Sequence, residues 1–238
     1  TVQSDTMSYA WEGTRAFEST GKVDSFRVVA GLYAESVQLV TMDPNIKTPA
    51  DLKGKAVSIG APGSGVYFNA IDVLNAAGLT ENDISAQYQS FADSADALKD
   101  GKIDAAFVVA GAPTPAITEL CTTNSAYLVP IDGAVADAMM ASCPFYTTYQ
   151  IPAGTYPGQD EDVTTVTVKA TLIVSASASE DDVYKLTTAI FDNAADIAKE
   201  NGKGAELSLE NATTGMTAPF HKGAAKYFAE KGITVDAQ

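Results

Sequence analysis

The sequence predicts an α/β fold made of two lobes. Strand-like and helix-like segments alternate along most of the 238 residues, which is the pattern of parallel βαβ units. Two long β-rich stretches, near residues 27–41 and 163–175, flank a compact block. We therefore expect the chain to leave one lobe, build a second and return, with 1–38 and 167–238 in the first lobe and 39–166 in the second.

In the first half of the chain, hydrophobic spacing and helix-stopping glycines define the expected elements. A helix follows Gln3-Ser4-Asp5, and Asp5 is the expected N-cap. Residues 25–41 alternate apolar and polar side chains and predict two strand pieces around a turn at 31–36. The other segments predicted here are a helical turn over 49–53, strands over 55–59, 82–91 and 103–110, and helices over 66–77, 92–101 (capped by Asp93 or Ser94) and 113–122.

The second half is predicted to contain one long strand and one long helix. The run VTTVTVKATLIVS at 163–175 is the longest β-rich segment. Ser179 is the expected cap of a helix over 179–201, and the three acids that follow favour the positive end of that helix. The shorter predictions are a strand over 126–130 and helices over 132–142 and 221–231, with 207–211 left unassigned.

Composition excludes some classes of function. The net charge of −15 leaves no basic face for a phosphate backbone, so we expect no nucleic-acid partner. No apolar run approaches the roughly 20 residues that span a bilayer. The chain opens at Thr1 without a signal-peptide pattern, so we interpret it as a processed product or an engineered piece. The acidity is explained by a soluble surface and does not identify a ligand.

Catalytic and metal-binding groups are scarce. Cys121 and Cys143 lack C-x-x-C spacing and predict either a disulfide that closes a loop of about 20 residues or two free buried thiols. His221 is the only histidine, and its place at a helix start favours a structural or capping role. The acidic run at 160–162 indicates a polar loop. We therefore expect no catalysis, no metal site and no cofactor.

The strongest local signal is the strand, glycine-rich turn and helix of residues 57–77. Gly63 and Gly65 let the backbone approach a ligand, and Ser64 adds a hydroxyl donor. The free N–H groups and the dipole of the helix start favour a carboxylate, phosphate or sulfate. A P-loop lysine and the third glycine of the dinucleotide fingerprint are both missing. A tight turn that binds nothing remains the alternative.

Three further segments are candidates for ligand contacts, each with a structural alternative. Gly111-Ala112-Pro113-Thr114 follows a buried strand and opens a helix, which makes it a second possible anion-facing helix start. Tyr33 and Glu35 lie in the expected turn, where a solvated glutamate is the alternative. Gly154-Thr155-Tyr156 belongs to a loop before the return strand, where Tyr156 either covers a ligand or packs on the surface.

Six segments together resemble a known protein family. They are GAPGSGVYFNA at 60–70, GAPTPAI at 111–117, the run at 151–175, APFHKGAAKYFAEKGI at 218–233, VQSDTMSYAWEGTRAF at 2–17 and AGLYAESVQLV at 30–40. They appear in the order typical of the family and cover essentially the whole chain. On these motifs the chain resembles the TAXI family, the extracytoplasmic immunogenic proteins associated with TRAP transporters.

The resemblance implies a two-lobed fold like that of type II periplasmic binding proteins, with a ligand cleft at the hinge. It implies a secreted, periplasmic or otherwise extracytoplasmic monomer that delivers its ligand to the membrane permease subunits of a TRAP transporter. The implied ligand is a small organic anion or acidic amino acid such as glutamate or 2-oxoglutarate. A ligand-binding sensory module and an enzyme on a similar scaffold stay open as alternatives.

The resemblance also assigns site residues. Carried over to this chain, the resemblance places a ligand carboxylate against Gly63, Ser64 and Gly65, with Asn69 one turn further along. It places the cleft edge at Gln3, Ser4 and Asp5 and the hinge at Tyr33 and Glu35. The opposite wall is formed by Gly111, Pro113 and Thr114, and the site is closed by Thr155 and Tyr156. Family members carry about half a lobe before the segment at 2–5 that this chain lacks, so the implied site is incomplete. With only Arg15 and Arg27 available for a guanidinium clamp, a neutral or amino-acid ligand also stays open.

Overall fold

Helices and strands follow one another in the order that the alternating pattern predicts. The computed structural model describes residues 1–238 and contains nine α-helices and eight strands. The strands are β1 Val2–Gln3, β2 Phe26–Thr41, β3 Ala56–Ser58, β4 Ser85–Gln87, β5 Ala105–Ala110, β6 Tyr127–Val129, β7 Thr147–Ile151 and β8 Val163–Ser175. The helices are α1 Ser4–Glu12, α2 Gly65–Ala76, α3 Phe91–Lys99, α4 Pro115–Thr123, α5 Gly133–Ser142, α6 Glu180–Asp192, α7 Ala194–Glu200, α8 Leu209–Thr213 and α9 Lys222–Glu230.

The chain divides into two units. The first consists of Thr1–Ala34 and Lys169–Gln238, and the second of Glu35–Val168. The sequence places the boundaries after residues 38 and 166, whereas the structure divides the chain after residues 34 and 168. Strands β2 and β8 therefore each contribute residues to both units.

In the first unit, β1, β8 and β2 lie side by side in that order. β1 pairs antiparallel with β8, with Val2 opposite Thr171 and Gln3 opposite Ala170. The core of this unit consists of apolar side chains from α1, β2, α6 and α9. Its fully or almost fully buried members include Met7, Val28, Val29, Val183, Phe220, Tyr227 and Phe228.

In the second unit, the strand order is β8-β2-β5-β3-β4, with β6 pairing β2 and β7 pairing β8. β3 is parallel to both of its neighbours, whereas β2 and β5 are antiparallel. The side chains of β5 alternate between the two faces of the sheet. Phe107 and Val109 pack with α2 and α5, and Val108 packs with α3 and α4. Helices therefore cover both faces of this sheet.

The predicted turn at 31–36 is wrong, because β2 is one unbroken strand of 16 residues. Glycine is needed at position 31 because a side chain would not fit there, and not because the chain turns. A Cβ on Gly31 would lie 2.6 Å from Lys169 Cδ and 2.8 Å from the carbonyl oxygen of Asn211. The glycine therefore lets the strand pass close to its neighbours, which a pattern of alternating residues does not reveal.

Several helix and strand predictions are confirmed, and the differences have local causes. β8 has the predicted bounds, and Ser179 caps α6 by accepting a hydrogen bond from the amide of Asp182. The single helix predicted over 179–201 ends at Asp192, because the amide side chain of Asn193 donates to the carbonyl of Ala189 and competes with the helix. The cap of α3 is Ser90 rather than Asp93 or Ser94, and β7 was not predicted.

Of the two alternatives for Cys121 and Cys143, the disulfide is wrong, because both thiols are free; Cys143 is buried and Cys121 is partly buried. Cys121 lies on α4 and packs on one face of the sheet of the second unit, and Cys143 follows α5 on the other face. A disulfide needs Cα atoms within about 7 Å of each other, which the intervening sheet prevents. Burial raises the pKa of the Cys121 thiol, which makes it a weak nucleophile.

None of the helices combines the length and apolar character that a membrane crossing requires.

Candidate functional site

The carboxyl edge of the parallel strands in the second unit is the candidate site. β3 and β5 are parallel neighbours, with Ser58 opposite Ala106. β3 leads into α2 on one face of the sheet, and β5 leads into α4 on the other face. Adjacent parallel strands whose connections leave toward opposite faces form the crevice in which open α/β sheets bind their ligands.

The loop between β3 and α2 is shaped by two glycines with positive φ. Gly60 has φ +78°, and a Cβ there would lie 2.8 Å from Val66 Cβ, so only glycine fits. Gly63 has φ +76°, but a Cβ there would meet open space. The side chain of Ser64 then caps α2 by accepting a hydrogen bond from the amide of Tyr67 at 3.2 Å. The loop therefore leads directly to an exposed helix start.

The start of α2 keeps free donors. The amide of Ser64 donates to the carbonyl of Ala61, and the amide of Phe68 donates to the carbonyl of Ser64. Between them, the amides of Gly65 and Val66 have no acceptor within the chain. They point along the helix axis into the space beside the loop, where the helix dipole favours a negative charge. The arrangement suits a carboxylate, sulfonate or phosphate oxygen.

The start of α3, at the same edge, carries an acidic side chain in its first turn. Ser90 Oγ accepts from the amide of Asp93 at 3.2 Å and donates to the carboxylate of Asp93 at 2.6 Å. A carboxylate in the first turn takes the place that an external anion would otherwise have. This helix start therefore repels an anionic ligand.

The start of α4 is occupied by a phenol. The amide of Thr114 donates to the hydroxyl of Tyr156 at 2.9 Å, and Pro115 has no N–H. The amide side chain of Gln38 donates to Thr114 Oγ1 at 3.0 Å, so the cap residue is held from both sides. Of the predicted second anion-facing start at Gly111, Pro113 and Thr114, only the amide of Ala116 remains in the first turn.

Tyr156 lies in the interior of the second unit and does not lie on the loop surface. Only 2% of it is exposed, and its hydroxyl also donates to Gln38 Oε1. Burial raises the pKa of this phenol, so it stays protonated as a donor. Thr155 Oγ1 donates to the carbonyl of Pro152 in its own loop. The structure thus places both residues in contacts that hold the loop to the protein.

Asn69 lies in a buried network on α2. Its amide donates to the hydroxyl of Tyr146 at 2.7 Å, and that hydroxyl donates to a carboxylate oxygen of Asp72 at 2.9 Å. All three side chains are buried. The network ties α2 to the segment before β7, so Asn69 supports the helix whose start carries the free amides.

In the first unit, Gln3, Ser4 and Asp5 form the buried start of α1. β1 runs directly into this helix, with Gln3 in extended conformation at the N-cap. Ser4 Oγ accepts from the amide of Lys169 at 3.2 Å, and a carboxylate oxygen of Asp5 accepts from the amide of Thr6 at 2.7 Å. Gln3 Oε1 is buried and has no donor.

Tyr33 and Glu35 lie on either side of the boundary between the units, within β2. The intervening amide of Ala34 donates to a carboxylate oxygen of Glu206 at 2.7 Å. Both residues are partly exposed and neither belongs to a helix start.

Sequence reasoning missed Gln38 as part of the candidate site. Its signal was an amide in the middle of the apolar run Val37-Gln38-Leu39-Val40, where a buried polar side chain requires partners. Those partners are Thr114 and Tyr156, which lie far away in the sequence. The position of Gln38 in a strand therefore indicated a buried network, but not its members.

Comparison with known families assigns the chain to one of them. A model of the NMT1-like family matches residues 1–232. The chain belongs to this family. The TAXI resemblance is a finer assignment than this match provides. The NMT1-like match extends over both units, including the loop before α2 and the start of α1.

Solved structures that resemble this NMT1-like protein include transport proteins. The periplasmic aliphatic sulphonate binding protein SsuA from Escherichia coli is 16% identical with a TM-score of 0.41; the match covers 86% of this chain and 53% of that one. The alkanesulfonate-binding protein SsuA from Xanthomonas axonopodis pv. citri is 19% identical with a TM-score of 0.44, over 87% of this chain and 66% of that one. The NMT1-like chain thus spans between half and two-thirds of their length. At these values the likeness does not indicate what this chain binds.

Proposed function

We propose that this NMT1-like protein is the extracytoplasmic solute-binding subunit of a transporter and binds a small organic anion at the start of α2. The observation that carries the proposal is a difference between three helix starts at one sheet edge. The start of α3 carries the acid Asp93 and the start of α4 is covered by the phenol of Tyr156, whereas the start of α2 has the free amides of Gly65 and Val66 and no acidic side chain in its first turn. An anionic group of the solute is therefore bound by backbone donors.

Binding without turnover is supported by the contacts of the single histidine. His221 Nδ1 accepts from the amide of Gly223 at 3.2 Å, and Nε2 is 3.1 Å from the carbonyl of Ala178. Nδ1 thus caps α9, as the sequence predicted, and Nε2 is engaged with the backbone before α6. A general base needs a nitrogen within reach of a substrate proton, which this arrangement does not leave.

The finer proposal concerns the transporter and the solute. The six motifs that resemble the TAXI family support delivery to a permease of the TRAP class, and an acidic solute such as glutamate or 2-oxoglutarate. Uptake into vesicles that carry the native permease should stop when the ion gradient is dissipated and should continue without ATP. Uptake that depends on ATP would contradict the TRAP assignment and leave solute binding intact.

Calorimetric titration with glutamate, glutamine, 2-oxoglutarate, succinate and pyruvate tests solute binding. We expect binding in the micromolar range or better for at least one of them. The decisive variant is Gly65→Pro, because it removes one free amide at the first helical position, where proline is well tolerated after the extended Ser64. Loss of a hydrogen bond to a charged group costs about 1.5–3 kcal/mol, so affinity should fall roughly 10- to 100-fold.

Glu180→Pro is the matched control, because it places proline at the first position of α6 after the extended Ser179. We expect it to leave affinity unchanged. Thermal unfolding of both variants verifies that they are folded. Unchanged affinity in Gly65→Pro would remove the start of α2 from the site, and an absence of binding by all five solutes would contradict the proposed solute class.

A further inference from the structure

Strand β7 forms an open edge of the sheet in the second unit. It runs from Thr147 to Ile151 and pairs only with β8, antiparallel, with Tyr149 opposite Thr165 and Gln150 opposite Thr164. The outer side of an edge strand presents main-chain N–H and C=O groups that can pair with a further strand. The register of β7 against β8 therefore decides which of its groups are available.

The main-chain groups of Thr148 and Gln150 point away from β8. Antiparallel partners alternate between pairs that exchange two hydrogen bonds and pairs that exchange none. The carbonyl of Thr164 accepts from the amide of Ile131, which follows β6 on the other side of β8. Gln150 and Thr164 are therefore a pair without hydrogen bonds, and Thr148 belongs to the same alternate set. Neither Thr148 nor Gln150 has another main-chain partner.

This edge lacks the features that usually prevent strands from adding to a sheet. The five residues of β7, TTYQI, include no charged residue and no proline, and both Thr148 and Gln150 are exposed. Natural edge strands are usually protected by lysines, prolines, bulges or a covering element. The outer side of β7 is therefore suited to main-chain pairing.

Strand β4, at the opposite edge of this sheet, offers much less. The amide of Ser85 donates to the carbonyl of Lys55, and the carbonyl of Gln87 accepts from the amide of Ile59, so Ser85 and Gln87 both face β3. Only the main-chain groups of Ala86 point outward. A single residue does not form a ladder, so β7 is the edge of these two at which a strand can be added.

We propose that β7 pairs antiparallel with β7 of a second copy of this chain, across a twofold axis at Tyr149. Around that axis, Thr148 of each copy lies opposite Gln150 of the other copy. Each of these two pairs exchanges two hydrogen bonds through the outward groups. The two Tyr149 residues form the intervening pair, with Cα atoms about 4.5 Å apart, where aromatic side chains stabilise a sheet by contact across the strands.

The pairing is self-complementary, which favours a second copy as the occupant. No like charges face each other between the two strands, although each chain has a net charge of −15. The pairing also uses the outward groups of both Thr148 and Gln150, so assembly stops at two copies. One pair of five-residue strands buries less than the roughly 1,200–2,000 Å² of a stable interface, so the dimer is reversible.

This dimer differs from the monomer that the resemblance to the TAXI family implies, and it does not depend on the proposed function. Sedimentation equilibrium of the wild-type chain over a range of concentrations tests it. We expect a monomer–dimer equilibrium with a dissociation constant on the order of 100 μM or lower. The dimer should become stronger as ionic strength rises, because salt screens the repulsion between two acidic chains. A wild-type chain that stays monomeric up to about 1 mM, at low and high ionic strength, overturns the inference.

Thr148→Pro tests the contribution of the outward amides. Proline is tolerated in an edge strand where the N–H faces solvent, so the pairing with β8 should remain. Each copy loses one of its donors to the other, and the dissociation constant should rise at least about tenfold. Ala86→Pro is the matched control, because it removes the outward amide of β4 and should keep the wild-type equilibrium. Unchanged dimerisation in Thr148→Pro would overturn the proposed pairing.

Two double variants test the register independently. Thr148→Lys with Gln150→Lys places lysines opposite each other across the axis and should abolish the dimer. Thr148→Lys with Gln150→Glu places lysine opposite glutamate and should retain it. The first variant makes the chain less acidic and so reduces the overall repulsion, which means that its loss of the dimer must come from the strand pair. Circular dichroism verifies that both are folded, and an equal effect of the two variants would contradict an axis at Tyr149.

Discussion

Gly60 illustrates how a single residue shapes the candidate site. Its backbone has φ +78°, and a Cβ would approach Val66 Cβ to 2.8 Å and Ser64 Oγ to 3.2 Å. Both neighbours belong to the start of α2, where the free amides lie. A side chain at Gly60 would therefore push apart the loop and the helix start as well as strain the backbone.

We predict that Gly60→Ala destabilises the protein more than Gly78→Ala. Both glycines have positive φ, but a Cβ at Gly78 meets nothing within 4 Å. Gly78→Ala should cost roughly 1 kcal/mol from the left-handed backbone alone, and Gly60→Ala about 1–3 kcal/mol more from the clash. Urea unfolding measures both. Equal losses of unfolding free energy in the two variants would show that the loop before α2 accommodates the added methyl group without cost.

At the residue scale, local patterns identified the Gly-Ser-Gly loop but not the network around Thr114. The glycines and Ser64 act within one turn of chain, so their pattern is visible in the sequence. Gln38 reaches Tyr156, which is 118 residues away along the chain. No spacing rule connects two such positions, because their contact depends on how the strands are arranged.

At the scale of elements, the three helices that follow β3, β4 and β5 differ in how their starts are satisfied. α2 is capped by Ser64 with free amides beyond it, α3 by Ser90 with the acid Asp93, and α4 by the buried phenol of Tyr156. The first two caps come from neighbouring residues and can be predicted from the sequence, whereas the third comes from a distant loop. The start of α2, which we propose binds the anion, is therefore distinguished only by comparing all three.

Ser90→Ala should weaken α3 without changing solute affinity. It removes the acceptor for the amide of Asp93 and the donor to its carboxylate. Loss of such a cap costs about 0.5–2 kcal/mol in the free energy of unfolding, measured with urea. Calorimetry with a bound solute should give the wild-type affinity, because this helix start does not contact the anion. A tenfold loss of affinity would place α3 in the site.

For the whole molecule, tyrosine environments predict lower stability at alkaline pH. Burial raises the pKa of Tyr156 and Tyr227, and a hydrogen bond to Glu81 raises that of Tyr67. Because these folded pKa values lie above the unfolded value of about 10, the neutral phenols stabilise the fold fully below pH 10. That stabilisation is lost as the pH rises through the folded pKa values. The free energy of unfolding by urea should therefore fall as the pH rises above about 10.

Tyr156→Phe provides the control for this pH dependence. It removes one of the shifted phenols and leaves the amide of Thr114 without its acceptor. We expect a lower free energy of unfolding at neutral pH, by about 1–3 kcal/mol, and a smaller further loss at alkaline pH. An unfolding free energy of the wild type that stays constant up to pH 11 would contradict the assignment of these environments.

The sequence by itself determined the α/β alternation, the strand β8, the caps at Ser179 and His221, and the anion-suited loop before α2. These features depend on neighbouring residues, so periodicity and capping rules describe them. The tertiary structure decided that β2 is unbroken, that the two cysteines lie on opposite faces of a sheet, and that a distant phenol covers the start of α4. The last point depends on the hydroxyl of Tyr156, which reaches the amide of Thr114 across 42 residues of chain. Hydrogen bonds over such separations form only when packing brings the partners together, and so they lie beyond any local pattern.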